Sequence, residues 1–463
     1  MSSIFGILQT GKSAVLAQQK GIEVTGQNIS NVNTPGYTRR RLNLTQGIPI
    51  ASSAGPMGTG VIAKGVERVY DSFLGAQINQ EEQEMGRWEA RKDALDMTEI
   101  RFNDAVGGGL SEAMGEFWNA WQDLANDPSG YVQRVTLLGK GEDLAHQFQS
   151  VYDALSPIPS PFDDRVEDAV SRINLQAAKI ADLNQKIVQV ETSGDNANEQ
   201  RDSRDMALKE LSSLIDINTF EQENGTMTIK LGDGKSLVDG VHKRELTTMD
   251  NAAGHKEVCW TDSPSASIND SISSGALKGL IETRDEIVPG YMSSLESLAG
   301  AIKAQVNDLH EDGFGLAGST GVDFFTGSLS SGKFAVNSAI VSDTDKIAAA
   351  QTSDGLPGDN RVALAIADLQ SMSINIGNAD DATFSDYYHS IVSRVGADVQ
   401  YAATRVDSQS EMMTYLDNYR ESVSGVSLDE EMINLIQFQR SYQSAAKLVS
   451  VVDEMLTTLL NSL

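Results

Sequence analysis

The chain has 463 residues, 40% of them apolar and only 6% aromatic, with one cysteine, Cys259, and a formal net charge of −29. That length holds about two to four domains; the acidity disfavours a nucleic-acid partner, and a single thiol excludes an internal disulfide and a thiolate metal cage. No stretch approaches the roughly 18 apolar residues of a membrane span, and the N-terminus lacks the charged, apolar and cleavage regions of a secretory signal.

The first thirty residues read as a helix. Leu8, Val15, Ile22 and Ile29 recur every seven residues, Ile4 stands four before Leu8, and Ala14, Ala17, Gly21 and Val24 widen the stripe with small side chains. The helix should stop near Ser30, where N-V-N-T-P-G offers left-handed backbone at Asn and a Pro-Gly turn. Residues 6–13, GILQTGKS, match the phosphate-loop pattern. Only five residues precede them, too few for the buried strand such a loop springs from, so Gly11 and Lys12 are read as helix residues.

A mostly helical body is expected next. Residues 80–105 and 111–126 look helical, with Trp88, Trp118 and Trp121 as core anchors, and Val166, Val170, Ile173, Ala177, Ile180, Leu183, Ile187 and Val190 mark one long helix. TMTIKL, residues 226–231, alternates apolar and polar residues between turn signals and is the clearest strand, the heart of a β-rich insertion at 218–275. Helices are expected over 281–310 and 385–422, the latter continuing toward the C-terminus across Gly425, with a loop or hairpins over 313–345. In that loop Gly313, Gly315 and Gly318 mimic a dinucleotide fingerprint, but a helix precedes them, not a strand. His146, His242, His255, His310 and His389 form no metal-binding spacing. No catalytic residue, cofactor or metal is expected.

The last thirty-six residues carry the strongest periodicity. Leu428, Met432, Leu435, Phe438, Tyr442, Ala445, Val449, Val452, Leu456, Leu459 and Leu463 step by threes and fours. Such a helix cannot stand alone: burying a large apolar side chain is worth about 1.5–3 kcal/mol, while ordering each backbone residue costs about 1–2 kcal/mol. Its natural partner is the N-terminal stripe, and charge agrees. Residues 1–41 carry a net +4, mostly at Arg39, Arg40 and Arg41, and residues 428–463 a net −3, so attraction should be strongest at one end. The expected fold is mainly α with a smaller β part. It has a coiled-coil domain of residues 1–60 plus 425–463, a helical trunk of 61–217 plus 276–424, and a β-rich outer domain of 218–275.

GQNISNVNTPGYTRRR, residues 26–41, and EEMINLIQFQRSYQSAAKLVSVVDEMLTTLLNSL, residues 430–463, resemble the N- and C-terminal signatures of the bacterial flagellar rod, hook and hook-associated axial proteins. SGALKGLIETRDEIVPGYMSSLESLAGAIKAQVNDLHEDGFGL with GVDFF, and IAAAQTSDGLPGDNRVALAIADLQ, resemble inner segments of the hook-associated protein 1 family. The resemblance implies a structural adaptor between hook and filament, built as a ring of copies, and a reduced outer domain. It implies contact with hook protein and hook-associated protein 3. Export would follow the flagellar type III route with a dedicated chaperone, without a cleaved signal, to the cell exterior. By position, Ile4, Leu8, Val15, Ile22 and Ile29 should face Leu435, Phe438, Tyr442, Val449, Val452, Leu456, Leu459 and Leu463. Asn31, Asn33, Pro35 and Gly36 should set the exit turn, with Tyr37 as its anchor. Another axial component, hook or distal rod, is the alternative, and a nucleotide-binding enzyme built on GILQTGKS the reading from a different class.

Overall fold

A computed structural model describes residues 2–52, 55–102, 109–156, 161–377 and 381–461. The chain is mainly helical. Helix α1 (Ser2–Ser30) leads into a turn and then a long two-stranded ribbon, β1 (Arg40–Gln46) against β4 (Val61–Arg68), tipped by β2 (Ile50–Ser52) and β3 (Gly55–Met57). The ribbon runs antiparallel from the Arg40–Arg68 pair, with an irregularity between Asn43 and Leu44. These strands are not among the elements expected from the sequence.

The trunk follows. Helix α2 (Ser72–Glu99) starts at Asp71, whose carboxylate accepts from the Phe73 and Leu74 amides. It is longer at its start than expected, and residues 103–105 of the expected helix lie outside the described residues. Helices α3 (Leu110–Asn126), α4 (Tyr131–Leu155), α5 (Pro161–Thr192) and α6 (Asn198–Leu214) come next. Strands β5 (Asn218–Glu221), β6 (Met227–Lys230), β7 (Ser236–Asp239) and β8 (His242–Lys243) form a four-stranded meander, and β9 (Leu246–Asp250), β10 (Lys256–Trp260) and β11 (Ser263–Ser267) a three-stranded sheet with β10 central.

Helix α7 (Gly275–Glu282) runs through one π-helical stretch, Thr283–Ile287, into α8 (Val288–Glu311). The stretch expected to be loop or hairpins holds one small hairpin, β12 (Phe325–Thr326) with β13 (Ala335–Val336), and the short α9 (Ser338–Ser342). After α10 (Arg361–Asp368), the 41-residue α11 (Phe384–Ser424) stops at Gly425, and α12 (Leu428–Asn461) is a separate helix. The expected continuation across Gly425 does not form, because Gly425 has extended backbone (φ −73°, ψ 161°).

Two large apolar cores lie in the trunk. One is built by α2, α3, α4, α8, α10 and α11, with Trp88, Trp118 and Trp121 all buried and Phe117 packed among Trp118, Trp121, Phe324 and Phe325. The other joins α5, α6 and α7 to the β region, so Ile229, Val238, Val258 and Trp260 share a core with Val166, Ile173 and Leu211. The strands have no separate interior. A third cluster, Leu74 and Ile78 with Met413 and Leu416, ties the start of α2 to the end of α11. None of the three clusters includes residues of α1 or α12.

Candidate functional site

The two terminal helices pack against each other antiparallel, the most extensive helix–helix contact of the described chain. Glycines let them close. A Cβ at Gly11 would stand 2.9 Å from Val449 Cγ2, and one at Gly21 would stand 2.7 Å from the Phe438 ring. Ala17 and Val24 of α1 and Ala445 and Val452 of α12 are buried. The stripe of Ile4, Leu8, Val15, Ile22 and Ile29 is half-buried, beside the closest line of approach instead of on it. On α12, Leu435, Phe438, Val449 and Leu456 are half-buried, Tyr442 and Leu459 exposed, and Leu463 lies outside the described residues. GILQTGKS is helical from end to end and its Gly11 is a packing glycine, so no phosphate-cradling loop forms.

At the trunk end the pair is held by a polar hub. Asn28, 1% exposed, uses its whole amide. Its Nδ2 donates to Arg40 O (2.8 Å) and Glu431 Oε2 (3.1 Å), and its Oδ1 accepts from the Tyr37 hydroxyl (2.8 Å) and the Arg40 amide (2.9 Å). Glu431, also buried, accepts from Arg39 Nε at 2.9 Å, while Arg39 NH1 donates to Glu430 at 2.8 Å. The Arg39 amide donates to Ser424 O at the end of α11. One asparagine therefore joins α1, the turn, β1 and α12, and the expected attraction between chain ends is realised at this end.

The turn is local in its bonding. The Asn31 side chain donates to Gln27 O, Thr34 Oγ1 donates to Asn31 Oδ1, and the Tyr37 amide donates to Thr34 O. Asn33 and Pro35 are exposed. Gly36 has φ +77°, and Met206 of α6 packs where its Cβ would be, so two constraints demand glycine there. Tyr37 is anchored through its hydroxyl, with the Arg40 guanidinium 4.9 Å from its ring centre. Burial raises its pKa, and the Arg40 charge opposes that rise.

A second cluster fastens this region to α6. Thr38 Oγ1 donates to Asp202 Oδ1 at 2.5 Å, and Arg68 NH1 reaches Asp202 at 3.1 Å and Asp205 at 2.6 Å. Burial works against the Arg68 charge, but Asp205 and Asp202 overcome it and hold its pKa up. Burial likewise pushes the Asp205 carboxyl up, with Arg68 opposing. Tyr70, pushed up to about 12 by burial, lies beneath the Arg68 guanidinium. A cleft of about 400 Å³ opens here, with Pro35, Tyr37, Leu74, Met206, Arg420 and Val426 in its wall.

Beyond the hub the helix pair stays open to solvent. Phe5 and Leu16 on α1 and Met432, Ile433, Ile436, Leu448, Val451, Met455 and Leu460 on α12 are exposed, and exposed apolar side chains gathered on one helix pair mark a protein interaction surface. Among the described residues no cluster could hold a metal ion and no helix is long and apolar enough to cross a membrane. The arrangement offers packing surface and fixed geometry. Asn28 and Glu431 are not among the residues that the sequence singles out: one polar residue in a helix has no periodic signature, though Asn28 lies inside the quoted motif.

Residues 95–325 match the family model described as flagellar hook-associated protein FlgK helical domain. Residues 408–463 match flagellar basal body rod FlgEFG protein C-terminal, and residues 8–38 flagella basal body rod protein. The chain is 30% identical to flagellar hook-associated protein 1 of Bacillus subtilis, over 100% of this chain and 99% of that one. It is 25% identical to the protein of the same name from Escherichia coli, over 98% and 99%. Among solved structures, the flagellar hook junction protein FlgK from Burkholderia pseudomallei has a similar fold, with a TM-score of 0.64 at 14% identity over 75% of this chain and 100% of that one.

Proposed function

Since this chain belongs to the flagellar hook-associated protein 1 family, a structural component of the bacterial flagellum, we propose that it serves as the adaptor at the hook–filament junction. Copies assemble through their paired terminal helices into a ring, with hook protein on one side and hook-associated protein 3 on the other. The observation that carries this reading is the terminal pair itself. Two helices from opposite ends of the chain are joined to each other at one end by Asn28 and Glu431, are tied to the trunk there through the bonds of Thr38 to Asp202 and of Arg39 to Ser424, and carry exposed apolar side chains along the rest. That surface is worth burying only among neighbours.

In this reading α1 and α12 are the coiled-coil inner layer, residues 1–60 plus 425–463. Ile4, Leu8, Val15, Ile22 and Ile29, and the α12 stripe from Leu435 to Leu463, lie at contacts between or within copies. The trunk and the β region, which share cores, face outward. The chain acts by shape and adhesion, not by catalysis. It reaches the cell exterior through the flagellar type III route with a chaperone, a path that the lack of disulfides suits. The terminal rod models alone fit a hook or distal rod component equally well; the match over 95–325 favours the junction. Deleting the gene tests the proposal: hooks should assemble without filaments while filament protein accumulates in the medium. Filaments on the mutant hooks would refute it.

A further inference from the structure

If copies pack around one axis through their terminal helices, as proposed above, the charges on those helices fix how neighbours are offset. Charge falls in three bands along the pair. At the trunk end stand Asp429 and Glu430, the latter paired with Arg39. Arg440 and Lys447 stand in the middle. Because Gly11 lies against Val449 and Gly21 against Phe438, Lys12 and Lys20 of α1 fall at the same height. At the far end stand Asp453 and Glu454. All these side chains except Arg39 are exposed. Lys20 is neutralised by Glu23 on its own helix, whereas Lys12, Asp429, Arg440, Lys447, Asp453 and Glu454 have no ion pair among the described residues.

Exposed apolar side chains run between the bands, Ile433 and Ile436 below the basic belt and Leu448 and Val451 above it. Any side-by-side packing that covers them also brings the bands together. At equal height, belt meets belt and acid meets acid, and like charges across a drying interface are penalised. A single displacement resolves both conflicts. Moving one copy along the axis by eleven residues sets its Asp429 level with the neighbour's Arg440, and moving it by fourteen sets its Arg440 level with the neighbour's Glu454. At about 1.5 Å of rise per residue this range is roughly 16–21 Å. We propose that neighbouring copies of this chain pack side by side with that axial offset, the basic belt of each meeting the far-end acids of one neighbour and the trunk-end acids of the other. The contact is head-to-tail, so the climb repeated from copy to copy winds the ring proposed above into a short helical turn instead of a flat one, and the charges act as interhelical pairs do when they set register.

The test uses full-length chains in a strain lacking its own copy, scored as the fraction of hooks bearing filaments. Lys12→Glu with Arg440→Glu and Lys447→Glu should lower that fraction by about tenfold or more. Adding Asp429→Lys, Asp453→Lys and Glu454→Lys to the same chain should restore it to within about twofold of the unaltered protein. Both purified variants should melt with the unaltered chain and both should be exported, which separates assembly from folding and secretion. Belt reversal without loss of filaments overturns the proposal. So does a folded, exported charge-swapped chain that leaves hooks bare, because the belt then faces a different protein. Should the unaltered chain itself fail to restore filaments, the junction reading fails, an outcome distinct from failure of the offset.

Discussion

Asn28 of the first helix donates its amide to the carboxylate of Glu431 on the last, 3.1 Å away across 403 residues of sequence. Both side chains are buried, and each has further partners, Arg40 and Tyr37 for Asn28 and Arg39 for Glu431. A buried polar network of this kind is costly unless complete, and when complete it fixes one geometry. It decides where the terminal pair leaves the trunk.

Replacing Asn28 by Ala removes four hydrogen bonds at once. We expect loss of about 1–3 kcal/mol in the docking of α1 and α12, read as faster hydrogen exchange in both helices. The trunk cores, which hold no residue of either helix, should keep their melting temperature. Unchanged exchange would show that the hub does not hold the joint.

Two glycines on α1 should answer substitution with opposite sign. Gly26 has open space where its Cβ would be, so Gly26→Ala should stabilise the helix by up to about 1 kcal/mol. At Gly21 the same atom meets the Phe438 ring, and Gly21→Leu should cost about 1–3 kcal/mol through overpacking. Thermal melts and exchange of the two variants check the contrast.

The long elements are legible in the sequence because their periodicity is strong. α1, α5, α11 and α12 and strand β6 stand close to where the apolar spacing puts them. Helix α6 escapes that spacing, because it buries Asp202 and Arg204 beside its leucines and those charges are satisfied by distant partners. Helix α4 is masked by Gly139 and Gly141, and the β1–β4 ribbon by the irregularity at Asn43 and Leu44. In the site, the seven-residue spacing singles out the larger side chains, whereas helices approach most closely where side chains are smallest, at Gly11 and Gly21.

His310 predicts a pH dependence. It is buried, its Nδ1 donates to Val322 O, and its Nε2 accepts from the Ala348 amide, a pattern only the neutral ring can make. Burial holds its pKa down at about 4. The unfolded chain binds this proton below about 6.5 and the folded chain does not, so stability is complete above that pH and falls as pH drops toward 4. The expected loss is about 3 kcal/mol. Denaturant titrations at pH 7, 5.5 and 4.5 should show it, and His310→Asn should flatten the slope over that window.

A chain of residues 70–424 keeps both large cores and the Leu74–Leu416 cluster. It should fold as a soluble monomer with one cooperative melt, measurable by sedimentation and circular dichroism. Aggregation or loss of helix would mean that the trunk depends on the terminal pair.

The most direct measurement is electron microscopy of hooks from a strain lacking its own copy and supplied with Leu456→Asp. Leu456 is half-buried, stands one heptad past Val449, which packs against Gly11 of α1, and belongs to neither trunk core. The variant protein should fold and be exported while its hooks stay bare, and the unaltered chain should restore filaments. Normal filaments on hooks carrying Leu456→Asp would contradict assembly through the terminal pair.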